Sequence, residues 1–108
     1  MRMWMTDPRI MCDRHLLGEH CECHMLAGCI KKGKSLAGYL SKNLFDPASL
    51  TSRHDRLAEE MTSRGFAHRS PILNYTGAPN PINISGSLAD LLERCPECKK
   101  RYDSAGIS

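Results

Sequence analysis

The chain has 108 residues, of which 41% are hydrophobic, and its formal net charge is +3 at pH 7. This length suits one domain and excludes a large multi-domain enzyme. It also excludes a doubly wound nucleotide-binding sheet, which needs more strand–helix–strand units than fit here. The charge is compatible with nucleic-acid binding but does not by itself indicate it.

Six cysteines are the most informative feature of the composition. In a secreted protein they could form three disulfides, with fifteen possible pairings. The first residues contain neither the apolar segment nor the cleavage site of a signal peptide, and no apolar run is long enough to span a membrane. We therefore expect reduced thiols in a cytoplasmic protein that has no contact with a membrane.

Helix starts are the clearest local signals. An Asp–Pro pair places a capping acceptor before a proline at the first helical position, where its missing N–H has no cost. Asp7-Pro8 predicts a helix over residues 8–32, and Asp46-Pro47 predicts one over 47–64, with a short helix over 35–43 between them. In the helix over 47–64, the spacing predicts a buried face made of Leu50, Leu57 and Met61. The opposite face is predicted to be charged and consists of Arg53, Asp55, Arg56, Glu59 and Glu60.

The last third of the chain has a different composition. Prolines, glycines and asparagines recur through residues 70–86 and predict an irregular arm. A short helix over 88–94 should follow, and then a Cys-Pro-Glu-Cys motif with a basic tail. No segment alternates like a strand, so we predict a mostly α fold: one compact helical bundle with a core over 1–70 and an arm, short helix and tail over 71–108.

The first predicted helix concentrates polar side chains. His15, Glu19 and Glu22 share one face, and His20 and His24 lie four residues apart on an adjacent face. Taken alone, this pattern is typical of a solvated polar face.

Three segments resemble the pyrimidine-dimer DNA glycosylase/AP-lyase family, whose best-known member is phage endonuclease V. They are the Arg-Met-Trp of residues 2–4, the HLLGEHCE of residues 15–22, and the stretch from Arg-His-Asp to Arg-Gly-Phe over residues 53–66. The resemblance implies a compact helical DNA N-glycosylase with β-elimination activity. It also implies double-stranded DNA as partner, a monomer, no cofactor for catalysis, and a bacterial or phage-infected host.

The resemblance also implies which groups react. Family members attack the sugar C1′ of a damaged nucleotide with the α-amine of the first residue, and a carboxylate transfers the protons. On the family register these groups belong to Met1 and Glu22. An α-amine suits this attack because its pKa of about 8 leaves a neutral fraction at pH 7. Because the bulk of Arg2 blocks removal of the initiator methionine, we expect Met1 to be retained.

DNA contacts follow from the same register and from the basic end of the first helix. The candidates are Arg2, His15, Glu19, Lys31, Lys32 and Lys34. The alternative for the lysines is an ordinary solvated helix end. Phage endonuclease V carries phosphate-binding arginines where this chain has Cys21 and Met25, and its aromatic C-terminal arm has no counterpart here. The lesion that is recognised is therefore open: a damaged or modified pyrimidine, or an abasic site.

Cys95 and Cys98 have the spacing with which two thiolates hold one zinc ion from a tight turn. The pair is half of a site. His20 with His24, or Cys23 with Cys29, could complete it, although no choice is forced. Structural zinc is therefore an open expectation, and the alternative is two unligated cysteines in a polar tail. Cys12 is predicted to pack in the core as a small hydrophobic residue.

Two further functions stay open beside the enzyme. A non-catalytic nucleic-acid-binding protein, stabilised by zinc, could have the same fold but lack the phosphate-binding arginines. A small interaction protein could instead act on a partner through the Cys-Pro-Glu-Cys end. Schiff-base trapping and DNA affinity distinguish the three.

Overall fold

A computed structural model describes residues 2–67, 71–72 and 75–105. Five α-helices account for most of these residues: α1 (Asp13–Lys31), α2 (Ala37–Ser41), α3 (Leu50–Ser63), α4 (Ile84–Arg94) and α5 (Pro96–Ala105). Two short 3-10 helices, Pro8–Ile10 and Pro47–Ser49, precede α1 and α3. The described part of the chain contains no strand, which confirms the mostly α fold.

Both Asp–Pro pairs begin a 3-10 turn rather than a long helix, so these two predicted helices started too early. Asp7 accepts a hydrogen bond from the backbone of Arg9, but the chain is extended at Met11 and Cys12 before α1 begins at Asp13. Asp46 caps the second turn in the same way, and α3 begins directly after this turn, at Leu50. The break before α1 lets Ile10 and Met11 enter the core.

Helix α3 packs along α1, and this is the most extensive contact between two helices of the described residues. Leu50, Leu57 and Met61 are buried as the spacing predicted. Arg53, predicted on the charged face, is buried as well, because an acidic partner on α1 meets it there. The turn after α3 contains Gly65 at φ 88°, a backbone conformation that favours glycine.

The irregular arm lies against the helices. Asn80 donates from its backbone to the Asp46 carboxylate, and its side chain donates to the carbonyls of Leu40 and Phe45. Thr51 and Tyr75 make a reciprocal pair of hydrogen bonds between α3 and the arm. Residues 68–70 and 73–74 lie outside the described part. The described residues of the arm before α4 have no regular secondary structure, as predicted.

The C-terminal region is more helical than its composition suggested. Helix α4 begins at Ile84, four residues before the predicted start, since Asn83 caps it by accepting from Gly86 N. The predicted tail is helix α5, which begins at Pro96 and packs against α4 and the first 3-10 turn. Among the described helices, none has the length and apolarity needed to cross a membrane.

Candidate active site and cysteine–histidine clusters

The N-terminal segment brings the first residues of the chain to Glu22. The backbone N–H of Arg2 donates to Glu22 Oε2 over 3.2 Å, and the N–H of Met3 donates to Leu44 O over 2.8 Å. Met1 lies outside the described residues. Its α-amine is separated from the Arg2 nitrogen by three covalent bonds, each about 1.3–1.5 Å long. The Glu22 carboxylate is half-buried on α1 and faces the start of the chain.

The Arg2 side chain lies against the protein and is mostly buried rather than extended into solvent. Its guanidinium lies 4.0 Å from the centre of the Trp4 ring, a cation–π distance. Its terminal nitrogens contact Ser87 Oγ at 3.2 Å and Asp90 Oδ2 at 3.4 Å, both on α4. Ser87 also donates to Trp4 O. Helix α4 therefore fixes the residue that follows the predicted nucleophile.

A surface cleft opens beside Arg2. Its volume is about 340 Å³. Its lining is about half polar and includes Lys42, Asn43, Asn83 and Asp90 besides Arg2.

Glu19 does not reach the surface where DNA would bind. It is 1% exposed, and its two carboxylate oxygens accept from Arg53 at 2.6 and 2.9 Å. Arg53 also donates to Thr6 O over 2.7 Å. The ion pair therefore joins α1, α3 and the N-terminal segment, and a contact between Glu19 and DNA would require it to open.

Other predicted DNA contacts differ in accessibility. Lys31, Lys32 and Lys34 are exposed around the end of α1, where Gly33 turns the chain at φ 70°. His15 is half-buried near the opposite end of the same helix, and its ring lies edge-on to Trp4 with 6.0 Å between centres. Of the predicted contacts, the lysines are the ones that form an open basic surface.

Cys12, His15, Cys95 and Cys98 form one cluster. Their ligand atoms all lie within 4.8 Å of one another. Cys12 Sγ is 3.8 Å from Cys95 Sγ and 3.2 Å from His15 Nδ1, and Cys98 Sγ is 3.8 Å from the same Nδ1. All three cysteines are buried.

Burial and neighbouring donors set the pKa values in this cluster. Burial lowers the pKa of His15, and the Arg14 charge lowers it further, which favours the neutral imidazole. Burial raises the pKa of Cys98 to about 12. Burial also acts to raise the pKa of Cys95, but hydrogen bonds from Cys98, Cys12 and the Glu97 backbone together outweigh it and leave that pKa below its usual value.

A second cluster contains His20, His24 and His54. The three ring centres are each 4.8 Å from the other two, and the Nε2 atoms of His24 and His54 are 3.1 Å apart. His54 also contacts Asp55 Oδ1 through Nδ1 at 3.0 Å. The two histidines that the sequence offered to the Cys95–Cys98 pair therefore lie in this second group, with a histidine of α3.

The sequence interpretation missed two members of the first cluster and one of the second. His15 was a candidate for DNA binding, Cys12 a candidate for the core, and His54 was part of a family motif only. A signal was available for the first two, because Cys12 and His15 have the same two-residue spacing as Cys95 and Cys98.

Comparison with known protein families identifies the family of this chain. The family model described as pyrimidine dimer DNA glycosylase matches residues 1–74. Neither the curated proteins nor the solved structures include a match. The matched range contains α1, α2 and α3, whereas α4 and α5 lie beyond it.

Proposed function

The chain belongs to the pyrimidine dimer DNA glycosylase family, and from that premise we propose that it is a DNA N-glycosylase with AP-lyase activity on damaged or modified pyrimidines. In the proposed reaction the α-amine of residue 1 attacks C1′ of the nucleotide. The bond from C1′ to the base breaks as the amine forms a Schiff base with the opened sugar. Loss of a proton from C2′ then breaks the bond from C3′ to oxygen and nicks the strand.

Glu22 would transfer protons in this sequence and stabilise the cationic sugar. The observation that supports this role is its hydrogen bond with Arg2 N, three covalent bonds from the α-amine of residue 1. A carboxylate at this distance can accept a proton from the amine and later act on the Schiff base. The contacts of the Arg2 side chain with Ser87 and Asp90 on α4 would keep the amine in place during the reaction.

Trapping with borohydride tests the proposal. The protein is mixed with a duplex that contains one abasic site, and borohydride reduces any Schiff base to a stable amine. We expect a covalent adduct that digestion and mass spectrometry place on the amine of residue 1. An adduct on a lysine side chain, or none with a protein that binds the duplex, would contradict the proposed nucleophile.

The surface around Glu22 supports weak clamping of the DNA backbone. Cys21 is exposed, and Met25 is 57% exposed, at the positions where the best-known family member has arginines. Neither side chain can neutralise a phosphate. The exposed lysines near the end of α1 would then supply most of the attraction to the duplex.

We expect Met25→Arg to strengthen DNA binding and to steepen its salt dependence. One added phosphate contact increases the slope of log K against log salt by about 0.9. Fluorescence anisotropy over a salt series measures the slope. Met25→Gln, which adds a polar side chain without charge, should leave it unchanged. An equal effect of the two substitutions would show that the introduced guanidinium meets no phosphate.

The absence of phosphate-binding arginines at Cys21 and Met25 also favours one alternative, a nucleic-acid-binding protein without catalysis. This alternative predicts a steep salt slope and no adduct in the trapping experiment. A protein that shows no affinity for DNA at low salt would instead act on a partner protein.

A further inference from the structure

We propose that Cys12, His15, Cys95 and Cys98 bind one zinc ion, and that this ion fastens α5 to the start of α1. Three thiolates and one imidazole nitrogen are a common ligand set of structural zinc sites, which are closed to solvent and tetrahedral. The site is separate from Glu22 and from the chemistry of the proposed function.

The distances suit a tetrahedral ion. Zn–S bonds of about 2.3 Å and Zn–N bonds of about 2.0–2.1 Å place the ligand atoms of a regular tetrahedron roughly 3.5–3.8 Å apart. Cys12 Sγ and Cys95 Sγ are 3.8 Å apart, and Nδ1 of His15 lies 3.2 and 3.8 Å from the sulfurs of Cys12 and Cys98. The remaining pairs of ligand atoms also lie within 4.8 Å of one another.

The backbone repeats one arrangement on both sides of the site. Cys12 directly precedes α1 and His15 lies in its first turn, while Cys95 directly precedes α5 and Cys98 lies in its first turn. Each pair therefore projects two ligands from a helix N-terminus, where backbone N–H groups favour negative charge. Two of these groups already face sulfur: Cys12 N is 3.2 Å from Cys98 Sγ, and Cys98 N is 3.5 Å from Cys95 Sγ.

Burial alone would suit free thiols as well, but the histidine nitrogen beside the buried sulfurs favours a metal. Cys95 is 1% exposed, Cys98 0% and Cys12 8%. Apolar packing alone does not require a histidine nitrogen within 4 Å of two sulfurs. A disulfide would use only two of the cysteines and would leave the third beside the imidazole.

The zinc ion would connect the family-matched part of the chain to the rest. Cys12 and His15 lie within residues 1–74, and Cys95 and Cys98 lie outside them. Helix α4, which Cys95 directly follows, holds Arg2 through Ser87 and Asp90. Zinc would thus stabilise the C-terminal helices that position the start of the chain.

Cobalt substitution tests the site because Co²⁺ bound to thiolates absorbs strongly in the near ultraviolet. Full-length protein is stripped of metal by a chelator under reducing conditions and titrated with Co²⁺, and Zn²⁺ is then added as competitor. We expect the thiolate band to saturate at one tetrahedral Co²⁺ per chain and to disappear with Zn²⁺. Zinc should also raise Tm above that of the metal-free protein by at least about 10 °C.

Matched variants identify the ligands. Cys98→Ser, which leaves two of the three thiolates, should weaken both the thiolate band and the affinity for Co²⁺. Cys21→Ser, which changes an exposed cysteine outside the cluster, should leave both unchanged. His15→Cys replaces the imidazole with a fourth thiolate, so it should bind Co²⁺ with a stronger thiolate band. A stronger band would also show that a substitution in the cluster does not by itself unfold the site. His24→Ala should leave the band unchanged.

Absence of the thiolate band in the reduced full-length protein would overturn the proposal. Equal bands in Cys98→Ser and Cys21→Ser would overturn it too, as would loss of the band in His24→Ala. The band and the Tm shift do not depend on catalysis, so they can fail while trapping succeeds, or the reverse.

Discussion

Glu22→Gln is expected to reduce strand nicking and borohydride trapping by about 10²–10⁴-fold, the contribution typical of a positioned acid–base group. Glutamine retains an oxygen that can accept from Arg2 N, so the N-terminal segment should stay in place. It can neither take up a proton nor carry the charge that stabilises a cationic sugar. Single-turnover rates on an abasic duplex measure the effect.

DNA affinity separates the chemical role of Glu22 from a structural one. Removing a carboxylate near the phosphates should leave the affinity of the Gln variant equal to or higher than that of the native protein, while the rate falls. Glu59→Gln is the control, because Glu59 is an exposed glutamate on α3. The role of Glu22 would be refuted by a Gln variant that traps the abasic duplex as fast as this control does, with an unchanged Tm.

Local signals in the sequence predicted the elements better than their boundaries. The two Asp–Pro pairs marked the points where the chain turns, but both capped short 3-10 turns. The chain is extended at Met11 and Cys12 before α1 begins, whereas α3 follows the second turn directly. Apolar spacing predicted the buried face of α3 correctly. The basic residues after Cys98 suggested a tail, yet Pro96 begins a helix there and α5 packs on α4.

The sequence predicted only some members of each metal-ligand cluster. Each half of the cysteine cluster has a visible two-residue spacing, but Cys12 and Cys95 are 83 positions apart, and no local pattern pairs them. The register of the family motif indicated Glu22, and the structure adds the contact with Arg2 N. Arg53 looked like a surface cation because its partner, Glu19, is 34 positions away. Such pairings depend on how the helices pack.

Breaking the buried Glu19–Arg53 pair should destabilise the fold strongly. Arg53→Met keeps the length of the side chain but leaves the Glu19 carboxylate buried without its two hydrogen bonds, which costs about 3–5 kcal/mol. The Thr6 carbonyl loses its donor as well. Urea unfolding followed by circular dichroism measures the loss. Arg56→Met, an exposed position on the same helix, should change stability by less than about 0.5 kcal/mol.

A further comparison shows whether the cost comes from an unpaired charge. The double variant Glu19→Met/Arg53→Met removes both charges and should be more stable than Arg53→Met alone. A deficit that is unrelieved in the double variant would instead assign the cost to lost packing around Arg53.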